Sequence, residues 1–110
     1  MPKTKVVLRS VAGTPLLDAV QQCLTALDWE QWVPRNARVV VKPNLCTAVP
    51  DKILAANTDV AVTGALCEAL LTRTSRISVG ESGHLRQNPW QAFKASGYDE
   101  MARRLEVVLA

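Results

Sequence analysis

Apolar positions along this chain switch between short runs and three- to four-residue steps, and the switches divide it into alternating strands and helices. "KVVLRSV" (residues 5–11) is a β-branched run that predicts a first strand, ended by Gly13. "TPLLDAVQQCLTALDW" follows, with Thr14 suited to an N-cap and Pro15 to a first helical position. Leu16, Val20, Cys23, Leu24 and Leu27 recur at three- and four-residue steps, which predicts an amphipathic helix with one inward face. The turn "VPRNA" leads into "RVVVKPNL", the second predicted strand.

A loop bracketed by Pro43 and Pro50 precedes "NTDVAVTGALCEALL". Thr58 is its expected N-cap, with Asp59 well placed in the first turn of the helix dipole. This helix is apolar almost all round, which predicts deep burial, and Gly64 permits close approach of a neighbour. "SRISVG" is a third strand and "ESGHLRQ" a polar loop. Asn88-Pro89 opens the helix "NPWQAFKAS", which Gly97 stops. "YDEMARR" makes a last helical piece before "LEVVLA", a fourth strand.

The order βαβαβαβ with apolar strands predicts an α/β fold. The expected form is one domain over residues 1–110, three layers deep, with a mostly parallel four-stranded sheet and helices on both faces. A closing strand this apolar leaves backbone and a face uncovered. The chain is therefore expected to be the front part of a larger α/β domain, or to be covered by another subunit in a homo-oligomer.

Composition excludes several classes. The net charge is a mild +3, the basic residues are scattered and aromatics are few, so nucleic acid is not an expected partner. No apolar run has the length of a membrane span, and the N-terminus lacks the apolar stretch of a secretory signal. Cys23, Cys46 and Cys67 are odd in number and more than twenty positions apart, without a C-x-x-C pair. Reduced thiols in a cytoplasmic protein account for them, and neither a metal nor a cofactor is expected within the chain.

In a parallel α/β sheet ligands bind beyond the carboxyl ends of the strands. Three segments qualify: residues 10–14, 42–47 and 80–84. They carry Ser10, Thr14, Lys42, Asn44, Thr47, Glu81, Ser82 and His84, with Thr58 joining from the next helix start. Backbone amides, a cation, a carboxylate and hydroxyls suit a small anionic or polar ligand. Each residue also has a plainer role. Lysine at a strand end commonly serves as a solvated stop to an apolar run, although Pro43 fixes the exit and aims Lys42 and Asn44. Asn44 equally suits a turn residue bonding its own backbone. Glu81 caps a loop or pairs with Lys42, in which case the two form a structural pair or an acid–base couple. Cys46 fits either a thiolate near Lys42 or, more commonly, a small buried thiol; His84 fits a surface residue, and Trp29, Trp32 and Trp90 packing anchors.

Familiar fingerprints are absent. "GESGH" lacks the last glycine of a nucleophile elbow, and "SVAGTP" offers one glycine where a dinucleotide-binding turn needs three.

In order and spacing, "VVVKPNL", "AANTDVAVTGALCEAL", "ISVGES" and "FKASGYDEMARRLEVVL" resemble the domain of unknown function family 362. The resemblance runs from about Arg38 onward and more loosely over the first strand and helix. It implies Lys42, Asn44, Thr58, Glu81 and Ser82 as site residues but supplies no catalytic role; Lys42 and Glu81 are candidates for catalysis from their own chemistry alone. Members of that family stand alone or are joined to ferredoxin-like iron–sulfur modules, and are generally longer than this chain. The resemblance thus implies an iron–sulfur cluster in a partner or fused module, the cysteine-rich segment being missing here. Two functions are expected to compete: a redox-linked ligand-binding or enzymatic domain, and an assembly fragment that packs through its last strand. Under the first, Lys42, Asn44 and Glu81 converge.

Overall fold

The computed structural model describes residues 3–82 and 88–110. The chain runs α1 (Leu16–Ala26), β1 (Val39–Val41), α2 (Ile53–Ala56), α3 (Val60–Leu71), β2 (Ile77–Val79), α4 (Pro89–Ala95), α5 (Tyr98–Leu105) and β3 (Val108–Leu109). Single 3-10 turns at Trp29–Gln31 and Pro50–Lys52 precede β1 and α2. The sheet is parallel with three strands in the order β1-β2-β3. Val39, Val40 and Val41 register with Ile77, Ser78 and Val79, and Ser78 and Val79 register with Val108 and Leu109.

One face of this sheet carries the core. Val41, Ile77 and Val79 are buried against Cys67 and Leu70 of α3, Phe93 of α4 and Tyr98 and Met101 of α5. Phe93 packs obliquely on Tyr98 at 6.0 Å between ring centres. Gly64 lets α3 and α5 close up, since a Cβ there would meet the Met101 side chain at 3.4 Å. α1 packs on α3.

The opposite face is open among the described residues. Val40 and Val108 are 72% and 59% exposed, with Ser78 between them in register. The expected three layers are therefore two, and strand order supplies the reason. Parallel strands in sequential order, joined by crossovers of the usual right hand, lay every connecting helix on the same side. Helices on both faces require a reversal of order, and β1-β2-β3 contains none.

The expected four-stranded βαβαβαβ order is also not what the structure shows. Residues 5–11 form no strand, and Val6, Leu8 and Val11 are 78%, 84% and 59% exposed. β3, predicted as a fourth strand over residues 105–110, spans two residues because Glu106 adopts a left-handed conformation (φ 56°) that ends α5.

Helix starts differ from expectation in two places. Pro15 occupies the cap position of α1 and Thr14 makes no capping bond. Asp59 caps α3, its Oδ1 accepting from the Ala61 N–H at 2.8 Å, which releases Thr58 for other bonds. Asn88 caps α4 as expected, accepting from the Trp90 N–H at 2.9 Å, and Gly97 turns the chain with φ 80°. Of the tryptophans, Trp29 packs against the core under the Arg73 guanidinium, whereas Trp32 is 78% exposed. Trp90 is half-exposed and meets Phe93 edge-on.

Candidate functional site

The ladder between β1 and β2 runs one bond beyond the strands, the Gly80 N–H donating to the Val41 carbonyl at 2.9 Å. Both chains therefore leave the sheet at the same level and in the same direction, which puts Lys42 beside Glu81. Beyond β1 the backbone keeps an alternation of period two. Val41, Pro43 and Leu45 are buried, and Lys42, Asn44 and Cys46 are exposed. Lys42, Asn44 and Cys46 thus share one side, in continuation of the open face that carries Val40.

The Lys42 ammonium lies 3.4 Å from Glu81 Oε2 and 3.4 Å from Asn44 Oδ1. The two charged side chains are unequally buried, 57% exposed for Lys42 and 7% for Glu81. Glu81 reaches inward because its Oε2 also accepts from the Leu45 N–H at 3.2 Å, while Ser82 Oγ donates to Oε1 at 3.4 Å. A desolvated carboxylate is tolerable where such donors surround it.

Four successive amides of the loop are all taken by side chains. The Asn44 N–H donates to Thr58 Oγ1 at 3.0 Å and the Leu45 N–H to Glu81. The Cys46 and Thr47 N–H groups both donate to Asn57 Oδ1, at 2.7 and 3.1 Å. The expected supply of backbone N–H groups for a ligand is therefore already spent on Thr58, Glu81 and Asn57 within this loop. Charge for an anion comes from Lys42 instead.

Asn57 is the residue that pattern reading missed. Its carboxamide nitrogen donates to the Thr47 carbonyl at 2.8 Å and to Ser96 Oγ at 2.9 Å, so every bond the group can make is used. The signal was the run Asn57-Thr58-Asp59. All three are cap-forming types, one helix start takes one of them, and two remain to tie down the loop. Thr58 is held in turn from the core: Tyr98 Oη donates to the Thr58 carbonyl at 2.8 Å and accepts from Thr63 Oγ1 at 2.8 Å. Burial pushes the Tyr98 phenol above its ordinary range, and the Thr63 hydroxyl partly offsets this.

Lys42, Asn44, Thr58, Glu81 and Ser82 are thus one bonded cluster. His84 lies outside the described residues. Ser10 and Thr14 belong to the segment that stands off the sheet, and the structure does not bring them to Lys42. A cavity of about 170 Å³ adjoins the cluster, lined by Ile53, Leu54, Asn57, Thr58, Ala95 and Ser96. A larger concavity, about 570 Å³, lies instead between Arg9 and α1. It is a shallow cleft left by the standing-off of residues 5–11, and the polar cluster is the better guide to chemistry.

The cysteines do not gather. Cys23 is on α1, Cys46 on the exposed side of the loop and Cys67 buried in α3, where burial pushes its thiol up. Among the described residues no group of three or more His, Cys, Asp or Glu is placed to hold a metal ion. This set does not fit an iron–sulfur cluster. Nor, among the described residues, is any single helix long and apolar enough to cross a membrane.

The profile of a family described as Domain of unknown function (DUF362) matches residues 39–110, well over half of the chain. The chain belongs to this family. The DUF362 match begins at β1 and takes in the Lys42 loop, α3, β2 and the helices that close the core. Comparison with curated proteins and with solved structures gave no match.

Proposed function

We propose that the domain binds a small anionic ligand at the carboxyl ends of β1 and β2. Lys42 supplies the charge, and Asn44 and Ser82 flank it with polar groups. Glu81 and Thr58 hold the loop that carries them. The observation behind this reading is the state of Lys42: its ammonium is fixed by Glu81 and Asn44, yet its side chain remains 57% exposed. Two of its three donors face those partners, which leaves one for a ligand oxygen. A phosphate or carboxylate there meets a positioned cation at little ordering cost. Among the described residues of the cluster, Lys42 and Glu81 are the titratable groups that would carry a proton transfer. A redox role enters this reading through a partner or fused module that carries the cluster, since this chain's cysteines do not.

A thermal-shift screen with inorganic phosphate, small carboxylates and nucleotides tests the proposal on wild type and Lys42→Ala. A ligand at a hundred times its Kd raises wild-type stability by about 2.7 kcal/mol. No shift with any anion, or equal shifts in both proteins, removes the proposal.

A second reading has its own observation. Val40 and Val108 leave an apolar strip on the open face, as a surface for assembly would, including a homo-oligomer through the last strand. Under that reading the protein self-associates at micromolar concentration and Val108→Lys makes it monomeric in sedimentation.

A further inference from the structure

β1 hydrogen-bonds to β2 on one side and, among the described residues, has an open edge on the other. Val39 and Val41 exchange their bonds with β2, the Val39 N–H donating to the Arg76 carbonyl and the Val41 carbonyl accepting from Gly80. In a parallel ladder alternate residues point to opposite neighbours, so the N–H and carbonyl of Val40 face the open edge. The chain also carries a β-branched segment, residues 5–11, that forms no strand and whose Val6 and Leu8 lie in water. We propose that this segment docks in parallel on the open edge of β1 as the first strand of the sheet.

The position of α1 decides which edge is meant. A strand added outside β3 would have to return to β1 by a crossover running against the order of the sheet. With the usual right hand, that crossover places α1 on the open face. A strand added outside β1 runs with the order and places α1 on the covered face, next to α3. The structure has α1 packed on α3. The helix is already where a strand at the β1 edge requires it, and the segment leading into it has only to close. Docking removes the edge and covers Val6 or Val7 on one side.

Docking also has a consequence for the ligand site, which rests on the anionic-ligand reading given above. Parallel addition brings the turn at residues 12–14, with Gly13 at φ 75° and Ser10 Oγ accepting from the Ala12 N–H, alongside Lys42. The crevice then has a third wall, carrying the Ser10 and Thr14 hydroxyls.

Amide hydrogen exchange on the full chain, without ligand and at low concentration, tests the docking. The Val40 amide is expected to exchange at least about a hundredfold more slowly than an unbonded amide. Either Val7→Pro or Leu8→Pro, whichever removes a donor facing β1, is expected to lower Tm by about 4–8 °C. An unprotected Val40 with both proline variants unchanged overturns the proposal. So does protection that grows with protein concentration, which assigns the edge to a second copy. Inorganic phosphate separates the two readings. Protection of Val40 with no phosphate-induced rise in Tm keeps the strand and removes the ligand. A phosphate shift abolished by Lys42→Ala, with Val40 unprotected, does the reverse.

Discussion

Thr58 and Asn44 are bonded to each other twice: the Asn44 N–H donates to Thr58 Oγ1 at 3.0 Å, and the Thr58 N–H donates to the Asn44 carbonyl at 2.7 Å. The pair zips the loop after β1 to the start of α3. Thr58→Val keeps the shape of the side chain and loses its acceptor, leaving the Asn44 N–H without a protein partner. Urea denaturation should show a loss of about 1 kcal/mol for Thr58→Val and almost none for Thr58→Ser. Equal losses for the two would mean that the methyl group, not the oxygen, matters there.

Lys42 and Glu81 should respond unequally to removal. The ammonium is open to water, so Lys42→Met costs at most about 1 kcal/mol, as exposed ion pairs generally do. Glu81 is buried and bonds the Leu45 N–H as well, so Glu81→Ala costs about 1–3 kcal/mol. Added salt should change the wild-type value little. A larger loss for Lys42→Met than for Glu81→Ala would contradict the unequal burial of the pair.

Asn57→Ala is expected to be the most damaging change in the loop. It strips partners from the Cys46 and Thr47 amides and frees the Thr47 carbonyl and Ser96 Oγ. With some of these groups reaching water, the loss should be about 2–3 kcal/mol. Asn57→Asp keeps the two accepted bonds and loses the two donated ones, and should fall between wild type and Asn57→Ala. Proteolysis within residues 42–52 should speed up in the same order.

Much of this arrangement could be read in the residues, and what could not has a physical reason. Three valines before Lys-Pro-Asn, and Ile-Ser-Val before Gly-Glu-Ser, identify β1, β2 and the ends where Lys42 and Glu81 meet. Their distance depends on register, and parallel register with equal strand lengths brings them level. Helices on both faces could not be excluded, because the period of a helix is the same on either side of a sheet. Side is decided by strand order, a property of the whole chain. Residues 5–11 read as a strand from composition, but a strand is defined by its partner, and β-branched residues alone do not supply one. Asn57 escaped because a carboxamide before a helix looks like any turn residue until the loop it holds is visible.

Alkaline pH should unfold the domain by way of Tyr98 and Cys67. Burial raises the Cys67 thiol above its ordinary 9.0 and the Tyr98 phenol above its ordinary 10.0. The folded state thus holds both groups neutral more firmly than the unfolded chain does. Their contribution is fully present below the unfolded values and is lost as pH rises through the higher folded ones. Stability should therefore decline from about pH 9, first through the thiol and then through the phenol. Tyr98→Phe starts lower, because the Thr58 carbonyl and Thr63 Oγ1 lose their partner. It should nevertheless fall less steeply than wild type above pH 10, and Cys67→Ala less steeply above pH 9. Urea unfolding at each pH measures both slopes, and parallel curves for wild type and Tyr98→Phe would remove the phenol from the account.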